Sequence, residues 1–249
     1  MAYNERNEVD YAELVTEVLS SLKKFMKFKE LESLLGISIP TLWRYIHGDI
    51  RPSQERAKNM LLKLLSDDVV ELMLSRVLKV AEGDIVSLYP IVYNVDILTF
   101  ASIDAMIWGK DKGFTAIMTV EVDGIPLATM IAKRLGVKLI VVKKRKEVGF
   151  NKFIELSYIT SMPPEVVSLY LPEGIVEYGD RILIVDDLVR SGRTTSALCE
   201  LIKKSGAKSH GYYALIGIGN AWRKSVEQCV NNNYRVLYTL KPSSIDIGF

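Results

Sequence analysis

The stretch RILIVDDLVRSGRTTSAL, residues 181–198, restricts the fold more than any other part of this chain. Four apolar residues, Ile182 to Val185, lead into Asp186 and Asp187, a short Arg-Ser-Gly loop follows, and a helical pattern begins near Thr194. Similar apolar runs alternate with helical patterns around it: TAIMTV, a helix over 126–135, KLIVV, a helix over 194–205, and YYALIGIG. Strand, helix and strand repeated in this way predict an α/β domain with a mostly parallel sheet. Between Val142 and Arg181 the rhythm breaks. There KFIELSYIT and EVVSLYL flank SMPP, which reads as a hairpin or an excursion from the sheet.

In an open parallel sheet, ligands sit beyond the carboxyl ends of the strands, near the point where strand order reverses. Asp186 and Asp187 stand at that end of their strand, and adjacent carboxylates accept hydrogen bonds from vicinal hydroxyls. Backbone N–H groups at the start of the next helix form an anion site, most often for phosphate. The combination describes a ribose 5-phosphate; the bland alternative is a turn with solvated acids. Neither G-x-G-x-x-G nor G-x-x-x-x-G-K-[ST] occurs.

The same stretch resembles the phosphoribosyl pyrophosphate (PRPP) motif of type I phosphoribosyltransferases: an apolar strand, two acids, then a Thr/Ser-Gly-x-Thr loop. The resemblance implies that Asp186 and Asp187 hold the ribose hydroxyls, and that Arg190, Ser191, Gly192, Arg193, Thr194 and Thr195 bind the 5-phosphate. Ser191 stands where Thr is usual and Arg193 where Gly is frequent. Upstream, TVEVDGIPLATMIAKRLGVKLIVVKKR resembles the family's pyrophosphate loop and following helix, which places Glu121, Val122, Asp123 and Gly124 in that loop. Two acids there repel a polyanion unless Mg²⁺ intervenes or both side chains turn away. With both facing inward, a nucleoside monophosphate is expected to bind better than PRPP.

The resemblance covers about residues 83–240. It is nearest in character to the purine repressors of Gram-positive bacteria and to archaeal regulators with a phosphoribosyltransferase-like domain. It puts the family's mobile lid over residues 144–172, with Lys143 and Lys144 at its root, and leaves Trp222 as a candidate base-stacking residue. No side chain is assigned a catalytic role and no metal is held by the protein directly. Mg²⁺ is expected only together with bound PRPP.

The first third of the chain is helical in pattern, with Leu14, Val15, Val18, Leu19, Leu22 and Met26 at helical spacing. Within FKELESLLGISIPTLWRYIHGDIRPS, a helix over Phe28–Leu35 turns at Gly36, and a second runs from Ile39 to about His47 with Ser38 as its cap and Pro40 in its first turn. This layout resembles repressor-type helix-turn-helix domains, departing at Glu32, where a small residue is usual. It implies Ser38, Thr41, Trp43, Arg44, His47 and Arg51 as DNA-contacting residues. Between Lys23 and Lys63, nine Lys/Arg stand against four Asp/Glu, a local excess of +5 in a chain of net charge only +2. A plain helical packing module is the alternative.

The resulting expectation has three parts: a helix-turn-helix domain over 1–66, a helical linker over 67–82 cut near Ser66-Asp67-Asp68, and a ligand-binding domain over 83–249. The function expected is a DNA-binding transcriptional regulator, a homodimer on a double-stranded operator. Its second domain would sense PRPP, a nucleotide or a nucleobase rather than turn it over. The alternative is an active purine or orotate phosphoribosyltransferase with an accessory N-terminal domain. Cys199 and Cys229 match no metal or redox spacing, so inert thiols in a reducing compartment are expected. The polar first ten residues and the lack of an apolar run near ~18 residues point to a cytoplasmic chain with no membrane partner.

Overall fold

The structure is a computed structural model that describes residues 9–78, 80, 81, 85–160 and 164–241. The chain divides into two compact units, Met1–Val77 and Leu78–Phe249. The boundary expected at 82/83 lies outside the described residues, as do the first three residues, 161–163, of the SMPP segment.

The first unit contains α1 (Tyr11–Leu22), α2 (Phe28–Leu35), α3 (Ile39–Ile46), α4 (Gln54–Leu64) and α5 (Asp67–Ser75). The α1 helix starts where the Asp10 carboxylate accepts the N–H groups of Ala12 and Glu13, satisfying two donors that the first turn leaves free. It buries Val15, Val18, Leu19 and Leu22 along one face. Gly36 ends α2 at φ 68°, a left-handed conformation that suits a residue without Cβ. Ser38 stands at the head of α3, yet its hydroxyl meets the Thr41 hydroxyl at 3.0 Å instead of a backbone amide. The capping is done by Glu32, whose Oε1 accepts the Ile39 N–H at 3.1 Å. The long 53–81 pattern breaks after Leu65, and α5 belongs to the first unit.

The second unit is an α/β domain. A short antiparallel pair, β1 (Val80–Ala81) and β2 (Ile85–Val86), precedes α6 (Tyr89–Val92) and α7 (Val95–Gly109). Then come β3 (Ala116–Val120), α8 (Ile125–Leu135), β4 (Lys138–Val142), β5 (Phe153–Ile159), β6 (Val166–Pro172), β7 (Arg181–Val189), α9 (Arg193–Lys204), β8 (Lys208–Ile218), α10 (Arg223–Val230) and β9 (Tyr234–Leu240). Five strands form one parallel sheet in the order β4-β3-β7-β8-β9. The strands β5 and β6 leave it as a separate antiparallel hairpin, as the broken rhythm between Val142 and Arg181 predicts.

The α7 helix is absent from the sequence reading because it is buried nearly all round: Ile97, Leu98, Phe100, Ala101, Ile103, Ala105 and Met106 leave no polar stripe to mark a period. Its buried Asp104 holds Arg235 of β9 through two hydrogen bonds, 2.6 and 2.7 Å, and accepts the Tyr213 hydroxyl of β8 at 3.0 Å. One further correction concerns the cysteines. Cys199 of α9 and Cys229 of α10 are joined in a disulfide, Cα to Cα 5.9 Å apart, so they are not inert thiols. Thirty residues separate them, and only the neighbouring of two helices brings them together.

Candidate functional site

Strand order reverses between β3 and β7. From β3 the chain proceeds outward to β4, and from β7 it proceeds the other way to β8 and β9. The loops that leave these two adjacent strands therefore flank one crevice, the place where open α/β sheets bind ligands. Asp186 and Asp187 follow the four buried residues Ile182–Val185 on β7, and the loop 190–192 leads into α9. Gly192 sits at φ 73°, and a Cβ built there would lie 2.6 Å from the Ser225 Cβ and 3.1 Å from the Trp222 carbonyl oxygen. Only glycine fits both the dihedral and the space, so α10 presses directly on the loop. Of the first N–H groups of α9, that of Arg193 is accepted by the Ser191 hydroxyl at 3.5 Å, and those after it point toward the loop.

Burial pushes the Asp186 carboxyl well above its ordinary pKa, and the neighbouring Asp187 charge adds to this, while a hydrogen bond from Tyr212 opposes it. Asp187 is also raised, chiefly by burial, with backbone hydrogen bonding opposing and the Asp123 charge adding. The pair is thus held ready for a partner that donates hydrogen bonds to the charged form, and hydroxyls of a ribose are such donors. In α9 Thr195 is 1% exposed, and its hydroxyl lies beside the Tyr212 phenol without a well-formed hydrogen bond.

The loop after β3 settles how its two acids are placed. Glu121 turns aside and accepts the Lys144 N–H at 2.6 Å. Asp123 faces the crevice: it accepts the Tyr93 hydroxyl, and its charge is felt by Asp187. That hydrogen bond is the main cause that pushes the Tyr93 phenol up to about 12. The Glu121–Val122 peptide is cis, and Val122 is exposed. Gly124 opens α8, where a Cβ would come within 2.4 Å of the Thr119 hydroxyl.

Other candidates are placed differently. The Arg193 guanidinium donates to the carbonyls of Ile159 (2.7 Å) and Thr160 (2.9 Å), and the Thr194 hydroxyl meets the Tyr158 hydroxyl at 2.9 Å. Both side chains therefore tie the β5–β6 hairpin to the loop, and only their backbone remains to face a phosphate. Lys143 pairs with Glu147 at 2.5 Å, and Lys146 pairs with Glu155. The Trp222 indole is 1% exposed and donates to the Gly219 carbonyl, so it is a core residue with no face for a base. Sequence reasoning missed Tyr93, Tyr158 and Tyr212, which reach the site from the turn after α6, from the hairpin and from β8 respectively. No local motif marks them.

In the first unit, Trp43 stacks on His47 at 3.9 Å and Arg51 pairs with Asp10 at 3.6 Å, while Arg44 is exposed on α3.

This fold and crevice define a type I phosphoribosyltransferase domain, and residues 95–235 match the family of that description, the phosphoribosyl transferase domain. The chain belongs to it. It is 31% identical over 118 residues to a xanthine phosphoribosyltransferase of Streptococcus equi subsp. zooepidemicus, covering 47% of this chain and 58% of that protein. A xanthine phosphoribosyltransferase of Bacillus mycoides is 30% identical over 140 residues, covering 56% of this chain and 70% of the relative. Among solved structures, an adenine phosphoribosyltransferase from Rhodothermus marinus superposes with a TM-score of 0.60 at 19% identity, over 70% of this chain and 99% of that one. The Giardia lamblia enzyme complexed with 9-deazaadenine gives 0.61 at 18%, over 70% and 98%. At such identities the structures show the fold.

The relatives are named as enzymes. This overturns the expectation of a DNA-binding transcriptional regulator with a sensing domain. The family match begins after the first unit. Among the described residues no helix is long and apolar enough to cross a membrane.

Proposed function

We propose that this chain is an active purine phosphoribosyltransferase, joining a purine base to the ribose 5-phosphate of PRPP with release of diphosphate. The observation that carries the reading is the pairing, across the β3/β7 switch point, of an acid pair with a helix-start phosphate loop on one side and a Gly124-headed loop on the other. Asp186 and Asp187 accept the ribose hydroxyls, and the backbone N–H groups from Ser191 to Thr195, with the Thr195 hydroxyl, receive the 5-phosphate. The diphosphate lies against residues 121–124. The choice of purine over orotate follows the relatives, whose names are xanthine and adenine phosphoribosyltransferase.

Among the described residues no cluster of three metal-ligating side chains exists. Mg²⁺ commonly binds through substrate phosphates and one or two carboxylates; bound together with PRPP, it would be held by the phosphates with Asp123 and Asp187 as the nearby carboxylates. An ion held there would offset the repulsion between Asp123 and the diphosphate. In the reaction the bond from the anomeric carbon to the diphosphate oxygen breaks as a bond to a base nitrogen forms, and the base gives up its proton. Groups that favour charge separation at that carbon lower the barrier. Tyr89 is 71% exposed and its ring lies 4.8 Å from that of Tyr93, inclined by 44°; Tyr93 touches Asp123, so the pair offers exposed aromatic surface beside the crevice.

The test is release of diphosphate from Mg-PRPP with adenine, hypoxanthine, guanine, xanthine and orotate in turn. Turnover of at least one purine, lost in Asp186→Asn/Asp187→Asn, is expected. Absence of turnover with every base would refute the reading, and turnover of orotate alone would move it to pyrimidines.

A further inference from the structure

The strands β5 and β6 form a two-stranded unit outside the parallel sheet, and its two ends are held by different means. At the root, Lys143, the residue after β4, exchanges both backbone hydrogen bonds with Tyr170 of β6, at 3.1 and 2.8 Å. Along the body, the alternate residues Ile154, Leu156 and Tyr158 of β5 pack on the core, together with the buried Leu169 and Leu171 of β6. At the far end this packing stops. Ile159 and Val166, the last pair of the ladder, are 57% and 72% exposed, so little apolar burial holds them. Polar contacts with the first turn of α9 take over there. One guanidinium nitrogen of Arg193 donates to the carbonyls of both Ile159 (2.7 Å) and Thr160 (2.9 Å), and the Tyr158 and Thr194 hydroxyls meet at 2.9 Å.

We propose that Arg193 is a positioning residue of the phosphate loop: its guanidinium, with the Tyr158–Thr194 pair, locks the first turn of α9 to the hairpin end, so that 5-phosphate binding and the order of that end are coupled. The proposal rests on the reading of the crevice as a ribose-phosphate site. The loop offers a phosphate its backbone N–H groups, and the rotation of the first turn sets their direction. Ser225 of α10 bounds that turn at Gly192, so α10 fixes one flank and the hairpin end the other. A turn already fixed on both flanks loses less conformational freedom when a phosphate binds, which raises affinity. By reciprocity, a bound phosphate holds the hairpin end more firmly. Two amides report on that end: the Thr160 N–H donates to the Glu165 carbonyl and the Glu165 N–H to the Thr160 hydroxyl, both at 2.9 Å.

The experiment measures amide hydrogen exchange at Thr160 and Glu165 in the full chain, alone and saturated with Mg-PRPP or with ribose 5-phosphate, alongside calorimetric titration of both compounds. Wild type is compared with Arg193→Ala, with Tyr158→Phe, and with Ser157→Ala, which breaks the Ser157–Ser168 hydroxyl pair of the same hairpin without touching α9. Wild-type exchange at the two amides is expected to slow about fivefold or more on saturation, the lower end of coupling between sites. In Arg193→Ala that slowing disappears and the dissociation constant rises about tenfold, as for loss of hydrogen bonds from a charged donor. Tyr158→Phe leaves every loop residue in place and is expected to weaken binding about threefold with part of the slowing lost. Ser157→Ala is expected to speed exchange with and without ligand while affinity and the ligand's effect stay unchanged; a merely structural tie would make Arg193→Ala behave in this way. A wild type that binds without slowing, or an Arg193→Ala that keeps either the slowing or the wild-type affinity, overturns the proposal and leaves the ribose-phosphate reading intact. A wild type that binds neither compound overturns both. Should Arg193→Ala fail to fold, Tyr158→Phe decides: reduced slowing with weaker binding supports the coupling, and any other result overturns it.

Discussion

Reduction of the Cys199–Cys229 bond probes the fold where it presses on the candidate site. The bond spans 30 residues and joins α9, whose first turn carries the phosphate loop, to α10, whose Ser225 leaves no room for a Cβ at Gly192. In the chain-entropy account a cross-link closing a loop of this length restricts the unfolded ensemble by about 3.5 kcal/mol at 25 °C. For a domain of about 150–250 residues, each kcal/mol moves the melting temperature by about 2–4 °C, so reduction is expected to lower it by about 7–14 °C. The assay is a thermal melt followed by circular dichroism, with and without a phosphine reductant, and with thiol titration at each condition. Oxidised protein should show no titratable thiol and reduced protein two. Cys199→Ser/Cys229→Ser should melt with the reduced form in either buffer. A shift below ~2 °C with both thiols titrating would refute the reasoning, because it would mean that α9–α10 packing already restricts the unfolded chain or that the bond adds native strain.

Asp186→Asn is expected to raise the melting temperature at neutral pH while abolishing ribose-phosphate binding. The native carboxyl is raised, so the folded state keeps a proton that the unfolded chain releases; stability therefore falls as pH rises from near 4 through the folded value, and the amide removes that slope, which a pH series of melts reads directly. Asp104→Ala strips Arg235 and Tyr213 of a shared buried acceptor and should cost about 3–5 kcal/mol in urea denaturation, as for a broken buried ion pair; a loss under ~1 kcal/mol would show that water replaces the carboxylate. Gly192→Ala meets Ser225 at 2.6 Å and an unfavourable φ, so it should cost about 1–3 kcal/mol and weaken monophosphate binding together. Unchanged binding in that variant would remove the loop from the phosphate site.

What was legible in the sequence is what the chain encodes locally. Ile182–Val185 followed by Asp186-Asp187 declares a buried strand ending in a site, and Gly36 before Ser38 and Pro40 declares the turn between α2 and α3. Two other parts needed the third dimension. One is α7, whose apolar residues point in every direction because the sheet and α8 surround it, so no period survives to be read. The other is the set of contacts that complete the site: Tyr93 reaches Asp123 across 30 residues, Tyr212 reaches Asp186 across 26, and the cysteines meet across 30. Trp222 shows the opposite failure. Its position after β8 suggested a base platform, but the indole fills the space over Gly217 and becomes core.

The regulator reading went wrong at a different step, from a layout to a function. A helix, a glycine turn and a second helix form a packing solution that many small helical units share, and a shared architecture does not carry a shared activity. Several side chains that the reading assigned to DNA stay at the surface and also have partners within the unit. Ser38 and Thr41 bond each other, Trp43 covers His47, and Arg51 meets Asp10. The departure at Glu32 has a local cause as well, since its carboxylate is the cap that α3 lacks at Ser38. A small residue at that position would leave the Ile39 N–H without this acceptor. The acid is therefore explained by helix capping alone, and the basic excess of this region is compatible with an ordinary solvated helical surface. In the second unit the situation is reversed: burying the acid pair carries a cost to stability that packing does not explain, and the proposed ligand would relieve it.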